Sequence, residues 1–343
     1  MAESAVNWMQ WPGRKPENWT PWVGCSPCSP GCDNCWARRY EDVRGRHLRR
    51  CATATELEAM ALAAKSNLPD PCSVFSDQSK PYFWRGPVYQ GETVLKWPMH
   101  CRDPRLFWCC PSSDPFHEEI PDEQIDRMLA VVALCPQHEF LMLTKRAERM
   151  ATWGRRWDGT ACLLTSPSTL HTAGARTDMN DVLFDDGKVA AVSLPWPLQN
   201  LGLGVTVCTQ AEADEKIPHL LATPAAWRFL SVEPMLGPVD LSPFFATYPP
   251  QRRLCPAESE ACPNEACSCP RPDQVIIGCE SGPGRRPCPL DQVRSVVEQC
   301  DEAGVPVWVK QLDLNGKVSH DTSEWPEWAR RRELPAHAKG AER

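Results

Sequence analysis

The sequence predicts an α/β fold, a full or partial (β/α) TIM-type barrel with loop insertions. Three observations carry that reading. Short apolar runs recur along the chain, among them EFLMLT (139–144), WRFLSV (227–232) and QVIIGC (274–279). Segments of helical period separate them, and strands alternating with helices build parallel sheets through right-handed crossovers. The length, 343 residues, holds a single barrel domain over 1–343 and spare loop.

In chain order, residues 1–17 read as a Trp/Pro-rich lead-in, and Asn18–Val23 as a first strand entering a cysteine-rich loop. Trp36 to Arg50 reads as a helix and 51–65 as a second; 66–92 reads as an insertion. TVLKW (93–97) and RLFWCC (105–110) read as strands, then a helix from about Asp122 to Leu134. EFLMLT ends at Lys145-Arg146 and precedes a helix through Met150; 155–200 reads as an inserted lobe. LGLGVTV (201–207) is a strand before a helix over Ala211–Leu221. WRFLSV ends at Glu233-Pro234, and 246–273 is a third insertion. QVIIGC ends at Glu280, a helix covers Leu290–Ala303, and VPVWVKQ (305–311) is the last strand.

The formal net charge of −7 provides no global field for nucleic acid, so any such contact must be local. Nineteen cysteines, an odd number, come with no signal-peptide core and no long apolar run. That pattern predicts a reducing cytosol, thiols that are ligands or free, and no membrane partner. The 35 prolines and 15 tryptophans predict ordered loops around a regular scaffold.

The chemistry concentrates in Gly24–Ala37, GCSPCSPGCDNCWA, where Cys25, Cys28, Cys32 and Cys35 share a loop punctuated by Pro27, Pro30 and Gly31. Cys28, Cys32 and Cys35 have the CxxxCxxC spacing of radical S-adenosylmethionine (SAM) enzymes; Cys25 offers an alternative first ligand. Three thiolates hold three irons of a [4Fe–4S] cluster, and the fourth iron is left open for SAM. The cluster's electron cleaves SAM to methionine and a 5′-deoxyadenosyl radical, a chemistry that the protein aims and shields. The alternative is a four-cysteine zinc site, which normally shows two separated pairs.

In a barrel, residues that follow the strands line one mouth. Those residues here are the loop cysteines, Asp114 with His117, Lys145 with Arg146, Thr206 with Thr209, Glu233, Glu280 with Ser281, and Lys310 with Gln311. Helix capping or rim ion pairs are the plainer role for each. SGPGRR, with Arg285 and Arg286, suits an anion or is a simple turn. The arginines after the loop, Arg38, Arg39, Arg46 and Arg49 among them, suit phosphates or a solvated helix face. A second group, Cys255, Cys262, Cys267 and Cys269, lies in the third insertion; zinc, a second cluster and free thiols all remain open for it. Cys109 and Cys110 are adjacent, so only one can face the mouth.

GCSPCSPGCDNCWARR, DPFHEEIPDEQIDRMLAVVALCPQHEFLMLTKRAERM, LGLGVTVCTQAEADEKIPHLLATPAAWRFLSVEPMLGPVDL, VIIGCESGPGRRPCPLDQVRSVVEQCDEAGVPVWVKQL and the tail NGKVSHDTSEWPEW together resemble the phage and bacterial three-Cys-motif family, a divergent branch related to radical SAM enzymes. The resemblance implies a barrel of the radical SAM kind and places the cluster ligands on Cys25, Cys32 and Cys35. It leaves Cys28 as an extra thiol, a spare or replacement ligand. It makes Lys145, Glu233, Glu280 and Lys310 the catalytic candidates, with Thr206, Glu233, Glu280, Ser281 and Gln311 as SAM contacts. The family's usual Gly-Gly-Glu stands here as Gly278-Cys279-Glu280. Phage members are associated with thymidine hypermodification, which implies a modified base in DNA as substrate, hydrogen abstraction or rearrangement as reaction, and an electron donor as partner. Two other functions stay open: a zinc-stabilised, non-catalytic nucleic-acid-binding module, and a radical SAM enzyme acting on a substrate that is not a nucleic acid.

Overall fold

The computed structural model describes residues 7–38, 86–156, 196–245 and 270–339, with short strands at 162–164, 184–185, 188–189 and 192–194. Eight strands form one sheet: β1 (Lys15–Trp19), β2 (Arg105–Cys109), β3 (Glu139–Thr144), β4 (Leu201–Thr206), β5 (Trp227–Val232), β6 (Gln274–Gly278), β7 (Val307–Leu314) and β8 (Lys317–Ser319). Their spatial order is their chain order. Every pair from β1 to β7 is parallel, and only β8 runs antiparallel to its neighbour. This is an α/β fold on a mostly parallel sheet, as expected.

Four helices cover one face: α1 (Asp122–Ala133), α2 (Ala147–Gly154), α3 (Gln210–Ala222) and α4 (Leu290–Ala303). The central strands β3, β4 and β6 are near-continuous apolar runs because both faces of the sheet are buried there. Phe107, Cys109, Phe140, Met142, Leu230, Val275 and Val307 pack outward under Met128, Ile217 and Val296 of the helices.

The opposite face is filled by the chain's own N-terminus. Trp8, Met9 and Trp11 pack with Leu106, Trp108, Leu141, Trp227, Phe229, Ile276 and Trp308. Trp8 stands 5.8 Å from the Trp108 ring of β2 and 5.9 Å from Phe229 of β5. Asn7 Nδ2 donates to the Lys310 carbonyl of β7 at 3.3 Å. One short segment thus touches three separated strands, which requires the sheet to curl around it. The glycines of LGLG make room for that filling. A Cβ at Gly202 would lie 2.2 Å from the Trp227 ring, and one at Gly204 2.5 Å from Phe229.

Several boundaries differ from those read in the sequence. The first strand is Lys15–Trp19, inside the expected lead-in, while Trp22–Val23 pairs antiparallel with Val88–Tyr89 from the end of the 66–92 insertion. TVLKW is not a strand: Glu92–Leu95 is a helical turn and Trp97–His100 a 3-10 turn. Burial of Leu95 and the 2.9 Å bond from Trp19 Nε1 to the Val94 carbonyl hold that turn against the core. The strand β8 was not expected; Asn315 and Gly316, both at positive φ, make the two-residue turn into it. Within 155–200, Cys162–Leu164 pairs with Val192–Leu194 and Phe184–Asp185 with Lys188–Val189, both antiparallel. The expected helices beyond Arg38 and through 51–65 lie outside the described residues, as does the third insertion up to residue 269. Among the described residues, no helix is long and apolar enough to cross a membrane.

Candidate functional site

At the carboxyl ends of the parallel strands a cavity of about 140 Å³ opens under the Cys loop. Trp108 of β2, Leu143 and Thr144 of β3, Thr206 of β4, Ser231 of β5 and Lys310 of β7 form its wall. Cys25, Cys28, Cys32 and Cys35 all line it. None of the four is in a disulfide; Cys25 and Cys32 are buried, Cys35 is partly buried and Cys28 is exposed.

The loop is fixed at both ends. Gly24 N donates to the Ser112 carbonyl at 2.9 Å, and Ser113 Oγ donates to the Gly24 carbonyl at 2.6 Å. Ser29 caps a 3-10 turn, Pro30–Cys32, by accepting from Gly31 N at 3.1 Å. Asn34 Nδ2 donates to Glu280 Oε2 at 2.9 Å and to the Gly284 carbonyl at 3.0 Å.

Behind the loop lies a polar network centred on Asp114. Its carboxylate accepts from Phe116 N, Thr144 Oγ1, Lys145 N and Arg146 Nη1. Arg146 also pairs with Glu118 at 2.8 Å, reaches Cys25 Sγ at 3.6 Å and donates to the carbonyl and hydroxyl of Ser26 at 3.0 Å. His117 accepts at Nδ1 from Glu119 N (3.1 Å), so its Nε2 carries the proton toward Ser26 Oγ at 2.8 Å.

The thiols are electrostatically unequal. Burial, with Asp114 nearby, pushes the Cys25 thiol up to about 12. A hydrogen bond from Cys28 lowers Cys32 to about 5 against the opposing effect of burial, with Lys145 assisting; Cys28, the donor, is pushed up. Among the described residues, no three His, Cys, Asp or Glu side chains are gathered closely enough to hold one metal ion. The donor set itself fits a thiolate-bound metal group. Four unbridged thiols of one loop face one cavity, and Lys145 and Arg146 supply positive charge beside them. The cysteines that the resemblance makes ligands, Cys25, Cys32 and Cys35, line this cavity together with Cys28.

A family model described as "Protein of unknown function (DUF5131)" matches residues 4–335. The chain belongs to the DUF5131 family. No curated protein and no solved structure matches it.

In this DUF5131 chain the strand-end residues expected at the mouth are brought together unevenly. Lys145, Thr206, Glu233, Glu280, Ser281 and Lys310 line the cavity with the cysteines. Lys310 Nζ lies 2.6 Å from Glu233 Oε1, which also accepts from Gln311 Nε2 at 2.9 Å. Consecutive strand residues normally face opposite ways. A register shift between Ile277 and Gly278 lets Lys310 and Gln311 share one carboxylate. Gln311 also donates to the Cys279 carbonyl at 2.7 Å and stands behind the wall of the cavity. Thr209 is the N-cap of α3. Arg285 pairs with Asp313 at 3.3 Å and Arg286 with Glu280 at 2.5 Å, so both SGPGRR arginines are engaged within the protein. Arg38 donates to the Asp33 carbonyl; Arg39, Arg46 and Arg49 lie outside the described residues, as do Cys255, Cys262, Cys267 and Cys269. Both Cys109 and Cys110 pack in the core, and Cys110, just past β2 at φ 54°, also lines the cavity.

Reading the sequence missed Ser231, Asn34 and Cys208. Cys208 follows β4 by two residues and lies beneath the loop, 4.0 Å from Ser29 Oγ. Period-two alternation from Thr206 is the signal that identifies it.

Proposed function

We propose that this DUF5131 protein is a radical SAM enzyme built on a partial TIM-type barrel, in which Cys25, Cys32 and Cys35 hold a [4Fe–4S] cluster. One observation carries the reading: the thiols of one loop and the polar ends of six parallel strands meet in a single cavity. Held by Cys25, Cys32 and Cys35, such a cluster would supply one-electron reductive cleavage of SAM.

The chain's own residues hold and aim. Arg146, oriented by Asp114, sets the Cys25 end of the loop. Arg286 and Glu280 set the Cys32–Cys35 end. Glu233 and Lys310 fix each other's head groups on the far wall, where they can orient polar groups of a ligand. Trp108 and Leu143 back the cavity with apolar surface that limits water. Trp36, 45 % exposed and 6.2 Å from Trp108, extends that apolar wall to the rim. A base extruded from DNA is the substrate class this rim suits, by stacking on the exposed indole. With Arg285 and Arg286 internally paired, phosphate contacts fall to Arg38 and the arginines after it.

Anaerobic purification tests the reading. Protein with about four irons and four sulfides per chain, and 5′-deoxyadenosine formed from SAM and a reductant, is the expected result. Cys25→Ala should abolish the iron signal and Cys28→Ala should retain it. Zinc without iron would instead identify a structural metal site, and an intact cluster that leaves SAM uncleaved would overturn the proposal.

A further inference from the structure

Three cations line the cavity among the described residues: Arg146, Lys310 and Lys145. The first two are neutralised within the protein. Arg146 is paired with Asp114 at 3.2 Å and Glu118 at 2.8 Å, and Lys310 with Glu233 at 2.6 Å. Lys145 differs. Its backbone N–H is bonded to Asp114 Oδ2, but among the described residues its ammonium has no carboxylate or other hydrogen-bond acceptor. Asp114 cannot supply one, because its oxygens are already taken by Phe116 N, Thr144 Oγ1, Lys145 N and Arg146.

A cation withdrawn from water without a partner is costly, and proteins seldom keep one without use. The Lys145 side chain lines the cavity together with Cys25, Cys28, Cys32 and Cys35. Three of the loop thiols, Cys25, Cys32 and Cys35, are the ones that a metal group would engage. Lys145 therefore stands beside the metal-ligating loop with its charge available to the cavity.

We propose that Lys145 is the anion-binding group of this site, donating through Nζ to a carboxylate or phosphate oxygen of the ligand while Arg146 and Lys310 remain occupied by protein carboxylates. The role deepens the radical SAM reading by assigning one subsite of the same cavity. Two sources share the chemistry, the carboxylate of SAM and a phosphate of a nucleotide substrate.

Equilibrium dialysis on the anaerobically prepared full chain separates them. SAM is compared with its decarboxylated analogue, and thymidine 5′-monophosphate with thymidine. The wild type should prefer the anionic member of at least one pair by about tenfold to a hundredfold, the effect of one charge-assisted hydrogen bond. Preference within the SAM pair assigns the carboxylate; preference within the nucleotide pair assigns the phosphate. Lys145→Met should erase the preference and Lys145→Arg should keep it, with Lys145→Gln read in place of the methionine variant if that one fails to fold. No preference in the wild type, or an undiminished preference in the neutral variant, overturns the inference. So does loss of iron from Lys145→Met with nucleotide preference unchanged, which would make Lys145 a counter-charge to the thiols. Protein that holds no iron and ignores SAM, yet loses nucleotide preference on Lys145→Met, would sink the radical SAM reading and leave the role of Lys145 standing.

Discussion

Arg286 encloses the carboxylate of Glu280: Nη2 lies 2.5 Å from Oε1, and Nε and the backbone N–H of Arg286 reach Oε2 at 3.1 and 2.8 Å. The same guanidinium donates to the Pro30 carbonyl at 2.9 Å and pairs with Asp33 at 3.0 Å. The pair therefore ties the Cys loop to the turn that follows β6. The sequence suggests a catalytic or SAM-binding role for Glu280; in the structure its carboxylate accepts from Arg286 and Asn34.

Glu280→Gln should loosen this tie. Burial raises the carboxyl pKa, but the hydrogen bonds from Arg286 and Asn34 outweigh it and hold the group below the usual carboxylate range. A lowered folded-state pKa stabilises above the unfolded value, and that contribution disappears as pH falls through the folded value. The variant should lose about 1–3 kcal/mol at pH 7 and should show a shallower loss of stability below pH 4.5, the ordinary carboxyl value. Urea unfolding at neutral and acid pH reads both; identical curves at pH 7 would show that the tie is not energetically significant.

Gly31 lies directly above Cys208. A Cβ there would come within 2.5 Å of Cys208 Sγ and 3.2 Å of Pro234 Cδ. Gly31→Ala should displace the loop, cost about 1–3 kcal/mol as overpacking and lower the iron retained by anaerobic protein. Cys208→Ala removes the obstructing sulfur, so the double variant should recover much of both. Simple additivity in a double-mutant cycle would exclude this contact as the cause.

His117 links stability to pH through a different sign. Burial, and then the Arg146 charge, lower its pKa from 6.5 to about 4. The unfolded chain binds that proton more readily, so stability rises with pH between about 4 and 6.5 and levels off above. Moving from pH 7 to pH 5 should cost about 2 kcal/mol through this residue. His117→Asn should flatten that slope, measured as unfolding free energy at the two values; an unchanged slope would rule His117 out as its origin.

Much of the sheet is readable because β3, β5 and β6 are mostly apolar, with Arg228 and Ser231 the polar members of β5, and are bounded by charge or proline. The mouth residues followed from strand ends, a rule of the fold that needs no knowledge of side-chain partners. What could not be read were the pairings. Nothing in the spacing of Glu280 and Arg286 distinguishes a clamp from a ligand contact, and nothing local to Lys145 shows that its neighbours are already committed. TVLKW misled because its apolar residues serve equally in one helical turn, and tertiary burial of Leu95 decides between the two. The Asn315-Gly316 dipeptide is a turn signal that the sequence carries openly. Trp8 and Trp11 looked like a loose leader because their partners are more than ninety residues away.

Those two indoles have a consequence for traffic. With the inner face of the curled sheet filled by aromatic rings, the described residues leave no room for passage beneath Trp108. A molecule held among the cysteines would then be exchanged on the side of the cavity where Trp36 lies, so spent ligand would have to clear that side before the next could take its place.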